Sequence, residues 1–220
     1  MRRIVVAIDG PAGAGKSTIS KIIAKKLKLE YIDTGAMYRA VTLKLLSKDI
    51  NLDNDEAIRK MLSNTEIAIE NERIILDGKD VSEAIRMPKI NTNVSIVATK
   101  QIVREKLVEI QRKMSFNKNV IMDGRDIGTY VLTNANYKIF LTASVDERAQ
   151  RRFDELKEKG LAVNYKDIYT EIEKRDLTDS TRELNPLKQA EDAVLVDTTG
   201  KNIEQVVEEI IKIIDKQGAK

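Results

Sequence analysis

The chain has 220 residues, with 38 lysines and arginines against 35 aspartates and glutamates, for a net charge of +3. That length suits one compact domain or one core with insertions, and 33% charged with 42% hydrophobic residues fits a soluble globular protein. With no cysteine and no histidine, disulfides, zinc–thiolate sites and any mechanism needing an imidazole base or ligand are excluded.

The first element expected is a strand over residues 4–8, where Ile4-Val5-Val6-Ala7-Ile8 forms a short β-branched run of the buried type. Only five apolar residues follow Met1-Arg2-Arg3 before Asp9, which does not fit a secretory leader. Residues 10 to 17 then read Gly10-Pro11-Ala12-Gly13-Ala14-Gly15-Lys16-Ser17, the G-x-x-x-x-G-K-[ST] spacing. Glycines let successive backbone N–H groups point into one concavity that holds an anion. Ile19, Ile22, Ile23 and Leu27 recur at helical spacing, so the loop feeds a helix over 16–27 whose N-terminal donors and dipole add to the cradle. Lys16 would neutralise β and γ phosphates, and the Ser17 hydroxyl would ligate Mg²⁺. Gly10 through Ser17, with Thr18, are the expected donor-nucleotide residues.

A short strand over 29–32 and a helix over 36–46 follow. Between them lies Asp33-Thr34-Gly35-Ala36-Met37-Tyr38-Arg39. Residues 50–95 break the rhythm: Ile67 and Ile69 alternate, Asn71-Glu72 makes a turn, 73–76 is a second apolar run, and Asp77-Gly78 turns again. A β-hairpin is expected there, with a third short strand at Val81. Further buried-type strands are expected at 120–122, 138–141 and 194–196. Asp123-Gly124-Arg125-Asp126-Ile127-Gly128 follows the first of these. Residues 144–182 read as helical and arginine-rich, with Ser144 and Glu147 as a capping box, Gly160 as a stop, Asn164 as the next cap, and Ile168 and Ile172 on an inner face. Arg175-Asp176-Leu177-Thr178-Asp179-Ser180-Thr181-Arg182 places two arginines around a Thr-Asp-Ser-Thr turn. Ile203, Val206, Val207, Ile210, Ile211 and Ile214 mark an amphipathic helix that closes the fold.

Alternating strands and helices argue for a parallel sheet covered on both faces. Ligands in such sheets sit at the carboxyl ends of the strands, where the P-loop and the Asp33 and Asp123 clusters all fall. Arginine binds phosphate bidentately. A P-loop for one phosphate plus separate arginines implies a second anionic ligand, the requirement of phosphoryl transfer to a phosphate acceptor. Asp123 stands where it would hold a magnesium-bound water. Arg125 with Asp126 otherwise reads as a surface ion pair of little energetic value. Arg148, Arg151 and Arg152 share one helical face; they either touch the donor, with Arg151 the candidate, or form a solvated surface.

At these strings the chain resembles the bacterial cytidylate kinases, of the nucleoside monophosphate kinase family, over nearly its whole length. The matching residues are Ile8 through Ser17, Asp33-Thr34-Gly35 with Tyr38-Arg39, Val103-Arg104-Glu105, Asp123 through Thr129, Lys138-Ile139-Phe140-Leu141-Thr142-Ala143, and Arg175-Asp176 with Asp179 and Arg182. Gly-Arg-Asp-Ile-Gly-Thr is the most specific. The resemblance implies an α/β P-loop kinase: a parallel sheet flanked by helices, an inserted monophosphate-binding subdomain with a small antiparallel hairpin, and a helical lid. It implies one domain, with core segments about 1–50, 96–145 and 190–220, the insertion about 51–95 and the lid about 146–185. The implied reaction moves the γ-phosphoryl of ATP to CMP or dCMP, with Mg²⁺, in pyrimidine nucleotide metabolism. Lys16, Arg125, Asp126, Arg175 and Arg182 would be catalytic. Arg39, Arg125 and Arg182 would hold the acceptor phosphate, and Thr34 and Tyr38 would line its pocket. Ser95, Arg104 and Asp126 would read the cytosine edge, although Ser95 also fits a plain exposed helical serine. Arg175 and Asp179 would contact the ribose, and Ser17 and Asp123 would serve the metal. A cytoplasmic monomer with no nucleic-acid or membrane partner is expected. Basic residues interleaved with acids, as in Asp154-Glu155-Leu156-Lys157-Glu158-Lys159, read as solvated faces.

Other readings stay open. A kinase for uridylate, shikimate or a sugar acid is the nearest. A GTPase needs N-K-x-D, which Asn117-Lys118-Asn119-Val120 begins without the acid. A nucleic-acid-dependent ATPase would bind DNA or RNA in a salt-sensitive way.

Overall fold

The chain begins its fold with β1 (Val5–Asp9), every residue of which is buried. In the computed structural model, which describes residues 3–218, β1 is the middle strand of a five-stranded sheet. Met1, Arg2, Ala219 and Lys220, at the ends of the expected core segments, lie outside the described residues. A strand covered on both faces has no polar side to show, so its residues read as a continuous apolar run rather than an alternation. The P-loop leads into α1 (Lys16–Leu27), and β2 (Glu30–Asp33) follows. Next come α2 (Thr34–Ser47), α3 (Asp55–Ser63), β3 (Ile67–Glu70), β4 (Arg73–Leu76) and β5 (Lys79–Asp80). A single 3-10 turn at Ala84–Arg86 precedes α4 (Pro88–Val97) and α5 (Gln101–Ser115). The chain continues through β6 (Val120–Gly124), a π-helical turn at Ile127–Val131, β7 (Tyr137–Thr142), α6 (Val145–Glu158), α7 (Tyr165–Thr181), β8 (Val194–Asp197) and α8 (Ile203–Gly218).

The large sheet runs β2-β6-β1-β7-β8. β1 pairs in parallel with β6 from Val5 opposite Val120 to Asp9 opposite Gly124, and with β7 on its other side. β7 pairs in parallel with β8. Parallel neighbours need crossover helices, and these cover the sheet. Ile19 and Ile23 of α1 and Val206, Val207, Ile210 and Ile214 of α8 join Val6, Ile8, Ile121, Ile139, Leu141 and Val196 in one core. Each such aliphatic side chain contributes about 1.5–3 kcal/mol when fully buried. The parallel sheet flanked by helices expected from the sequence is the one observed.

The chain divides into two compact units. One comprises the described residues through Tyr31 and those from Asn117 onward; the other is Ile32–Phe116. In the second unit, α2 packs against α4 and α5, and α3 against α5. Its small sheet has the order β3-β4-β5. The expected hairpin is present in register, Ile67 opposite Leu76 and Glu70 opposite Arg73. Asn71 and Glu72 both take left-handed backbone angles (φ 50 and 65), the requirement of a two-residue hairpin turn. The third strand lies at Lys79–Asp80, just before the expected Val81.

In the first unit, α6 opens with the Ser144 hydroxyl accepting from the Glu147 N–H at 3.2 Å, and α7 opens with Asn164 accepting from Lys166 at 2.8 Å. Ile168 and Ile172 pack with Ala149 in a small separate core. The turn expected at 178–181 is instead helix: α7 runs through Thr181. The hydroxyls of Thr178, Ser180 and Thr181 donate to the carbonyls of Lys174, Asp176 and Leu177, four residues back. Polar side chains bonded in that way are accommodated within a helix instead of ending it.

Candidate active site

Gly10 begins the P-loop at φ 150, and a β-carbon there would stand 1.9 Å from the Leu141 carbonyl oxygen. Only glycine lets the loop pass β7 so closely. At Gly13 (φ 77) a β-carbon would approach that of Arg148 to 3.1 Å. Lys16 is the first residue of α1. Its ammonium donates to the Pro11 carbonyl at 2.6 Å, so the side chain folds back over its own loop. Burial holds the Lys16 ammonium well below the usual lysine range, with Arg125 and Arg175 acting in the same direction and Asp123 and Asp179 opposing. An anion delivered to this loop would find backbone donors, a helix N-terminus and a cation already in place.

Ser17 Oγ donates to Asp123 Oδ2 at 3.0 Å, and the Tyr31 hydroxyl donates to Asp123 Oδ1 at 2.7 Å. Asp123 is buried near the end of β6. A hydroxyl beside a carboxylate is an oxygen donor set of the kind Mg²⁺ accepts, and Mg²⁺ commonly takes few protein ligands and completes its shell with phosphate and water. Among the described residues no group of three or more acidic, histidine or cysteine side chains is placed to hold a metal alone. The donors present therefore fit a metal that arrives with a nucleotide.

Arginines and carboxylates interlock around this corner. Arg125 Nε donates to Asp179 Oδ2 at 2.7 Å. An Arg182 nitrogen stands 3.5 Å from Asp126 Oδ1, and Arg182 also donates twice to the Asn185 carbonyl, at 2.9 and 2.6 Å. Arg125, Asp126, Asp179 and the Arg182 side chain are all largely buried. The solvated helix face and the surface ion pair are thus both set aside. Burial raises the Asp179 carboxyl, but Arg125, Arg175 and Arg182 outweigh it and hold it below the ordinary value. Arg125 likewise keeps its charge against burial because Asp179, Asp123 and Asp176 face it. Lys16, Asp123, Arg125, Arg175 and Asp179 thus form one electrostatic cluster.

The three arginines of α6 separate. Arg148 is 4% exposed and donates to the carbonyls of Ala143 and Ala12, each at 3.0 Å; its guanidinium lies 2.6 Å from Asp176. Arg151 reaches Thr198, donating to its hydroxyl at 3.1 Å and its carbonyl at 2.8 Å. Arg152 pairs with Glu155 at the surface. The shared helical face is therefore neither uniformly solvated nor uniformly turned to one ligand.

In the second unit Asp33 caps α2 by accepting from the Ala36 N–H at 2.8 Å, leaving Thr34 buried at its first turn. The Tyr38 ring lies 6.0 Å from the Arg104 guanidinium, within cation–π range. Arg104 is 2% exposed and donates to the Ala98 carbonyl at 3.2 Å. Arg39 approaches the bare face of Gly35. Ser95 lies on α4, half-buried beside the buried Val94.

Asp9, Tyr31 and Asp176 contribute here without having been singled out as site residues. Asp9 carried a signal as a carboxylate closing an apolar strand immediately before a glycine, and Asp176 as the neighbour of Arg175 in the Arg175–Arg182 run.

The cytidylate kinase family model matches residues 6–216. A cytidylate kinase of Caldicellulosiruptor saccharolyticus is 53% identical over 220 residues, covering 98% of this chain and 97% of its own. One from Clostridium perfringens is 54% identical over 213 residues, 97% of this chain and 98% of its own. Among solved structures, a shikimate kinase from Bacteroides thetaiotaomicron superimposes with a TM-score of 0.51 at 14% identity, covering 96% of this chain and 98% of its own. An uncharacterized protein from Eubacterium ventriosum gives 0.54 at 16%, covering 98% and 99%. At those identities the structures speak to the fold alone.

Proposed function

This chain belongs to the cytidylate kinase family, and from that membership we propose that it transfers the γ-phosphoryl group of ATP to CMP or dCMP, giving ADP and CDP or dCDP. The observation that carries the reading is the buried cluster in which the P-loop Lys16 shares its field with Arg125, Arg175, Asp123 and Asp179. An ATPase acting on water needs the loop; extra arginines held by matched acids serve a second phosphate.

Two anions must approach each other, since the attacking oxygen of the acceptor phosphate is itself charged. Positioned cations remove that obstacle, and they act most strongly where water is excluded. Gly10 through Thr18 hold the ATP phosphates, with Lys16 beside the β and γ groups and Arg151 toward the donor. Ser17 would ligate Mg²⁺ and Asp123 would hold it through a bound water; the ion supplies charge neutralisation of the phosphates when bound. Arg39, Arg125 and Arg182 hold the acceptor phosphate, Thr34 and Tyr38 line its pocket, and Arg175 with Asp179 meet the ribose. Ser95, Arg104 and Asp126 read the base: cytosine presents an amine donor where uracil presents a carbonyl, so a carboxylate favours cytosine. No strong base is required, because the nucleophile is ionised at neutral pH.

Residues 146–185, α6 and α7 with their connections, act as a lid that shields the transfer from water. The insertion about 51–95 belongs to the monophosphate side, with core segments about 1–50, 96–145 and 190–220. We place the enzyme in pyrimidine nucleotide metabolism, as a cytoplasmic monomer without nucleic-acid or membrane partners. No helix among the described residues is long and apolar enough to cross a membrane.

A coupled assay of ADP release with CMP, dCMP, UMP, AMP and shikimate side by side tests the reading. CMP and dCMP should give the highest kcat/KM; a higher value for any other acceptor overturns it.

A further inference from the structure

Asp9 is the last residue of β1, 5% exposed, and directly precedes the first P-loop glycine. Its Oδ1 accepts from the Ile127 N–H at 2.7 Å and its Oδ2 from the Gly128 N–H at 2.7 Å. Those two donors open the π-helical turn that follows Arg125 and Asp126. The turn's own bonds begin two residues later, with the N–H groups of Tyr130 and Val131 reaching the Asp126 carbonyl at 2.9 and 3.1 Å. The first N–H groups of any helical turn lack an internal partner. Here a carboxylate 118 residues away supplies both.

We infer that Asp9 is a positioning residue for phosphoryl transfer: by capping the turn at Ile127 and Gly128, it fixes Arg125 and Asp126 in register with the P-loop that it also begins. Its role rests on the phosphotransfer reading above, because that reading gives Arg125 and Asp126 their work.

Two features favour a dedicated carboxylate over a generic polar residue. Two N–H donors need two acceptors, and only an ionised carboxylate presents an acceptor on both branches; asparagine would turn an NH₂ toward one of them. Gly128 also leaves room for the contact, since a β-carbon there would stand 3.3 Å from Asp9 Oδ2 and 3.1 Å from Lys138 Cδ. Burial pushes the Asp9 carboxyl up to about 6, against the two N–H bonds and Lys16, while Asp126 adds to the rise. A carboxylate kept at that cost needs a reason beyond packing, and the turn it caps provides one.

Asp9→Asn tests the idea, with steady-state kinetics for ATP and CMP and the dissociation constant for ADP measured on the same protein. The wild-type enzyme's acceptor panel decides the phosphotransfer reading separately, so the variant speaks only to Asp9. We expect kcat to fall tenfold or more, with ADP affinity changed less than twofold. Gly128→Ala, whose β-carbon would crowd Oδ2 at 3.3 Å, should show the same split and replaces Asp9→Asn if that variant does not fold. Combining the two should lose less than the product of the single losses, since both act through one contact. A kcat loss exceeding the affinity loss by fivefold or more supports the inference. A smaller split, or fully multiplicative losses in the double variant, overturns it.

Discussion

Arg148 and Asp176 meet at 2.6 Å, and the same guanidinium donates at 3.0 Å to the carbonyl of Ala12 within the P-loop. One side chain of α6 therefore joins the phosphate-binding loop to α7, the helix that carries Arg175 and Asp179. Arg148→Ala would strand two carbonyls and a part-buried carboxylate, at a cost of about 2–4 kcal/mol in stability. Arg148→Lys keeps the charge but not the planar fork, and should recover only part of the loss. Denaturant unfolding of both variants measures this; an unchanged midpoint for the alanine variant would remove the tether.

Lys16→Ala should lower kcat by orders of magnitude, because the loop would keep its amide cradle but lose the charge beside the transferring group. Folding should be intact by circular dichroism. Turnover near the wild-type rate would dismiss the P-loop lysine from catalysis.

Arg182→Ala should lower kcat and also destabilise. Its side chain is 5% exposed beside an Asp126 side chain that is 7% exposed, so truncation leaves a buried acid short of a partner, worth about 1–3 kcal/mol. Kinetics and melting should be read together: lost stability with normal kcat would make Arg182 structural.

Asp126→Asn should narrow the preference for CMP over UMP. One unpaired buried polar group costs about 1–3 kcal/mol, a factor of about ten to a hundred between acceptors. The ratio of kcat/KM values reports it, and an unchanged ratio would take Asp126 out of base reading.

The raised Asp9 carboxyl predicts a pH dependence of stability. With a native value of about 6 against an ordinary 3.8, the folded state holds the proton more tightly than the unfolded one. Stability relative to Asp9→Asn should therefore fall as pH rises from about 4 to about 6, by up to about 3 kcal/mol. Unfolding free energies of both proteins at pH 4 and pH 7 give the comparison. A difference that stays flat, or moves the other way, contradicts the burial of an ionisable group there.

Local patterns carried much of this protein in the order of its residues. The run ending at Ile8, the glycines at 10, 13 and 15, and the helical spacing of Ile19, Ile23 and Leu27 are short-range signals. Each acts through backbone sterics or side-chain period within a few residues, so strand, loop and helix are legible without knowing what surrounds them. The hairpin at Asn71-Glu72 and the caps at Ser144 and Asn164 were readable for the same reason. The run at 178–181 has the composition of a turn because Ser, Thr and Asp oxygens accept from nearby backbone N–H groups in turns and caps, whereas within α7 its hydroxyls donate to carbonyls four residues back. Only the surrounding packing selects between the two outcomes.

Which acid would meet which arginine was a matter for tertiary structure alone. Arg125 looks by adjacency like the partner of Asp126, yet it pairs with Asp179, 54 residues on, while Asp126 faces Arg182. Arg148 could not be told from the surface Arg152 by helical period, since both lie one turn apart on α6; burial against the P-loop distinguishes them. Asp9 caps a turn 118 residues away. Residue type sets what a charged group can bind, but burial removes water as its alternative partner, and which groups are buried together depends on how the sheet brings distant strand ends side by side.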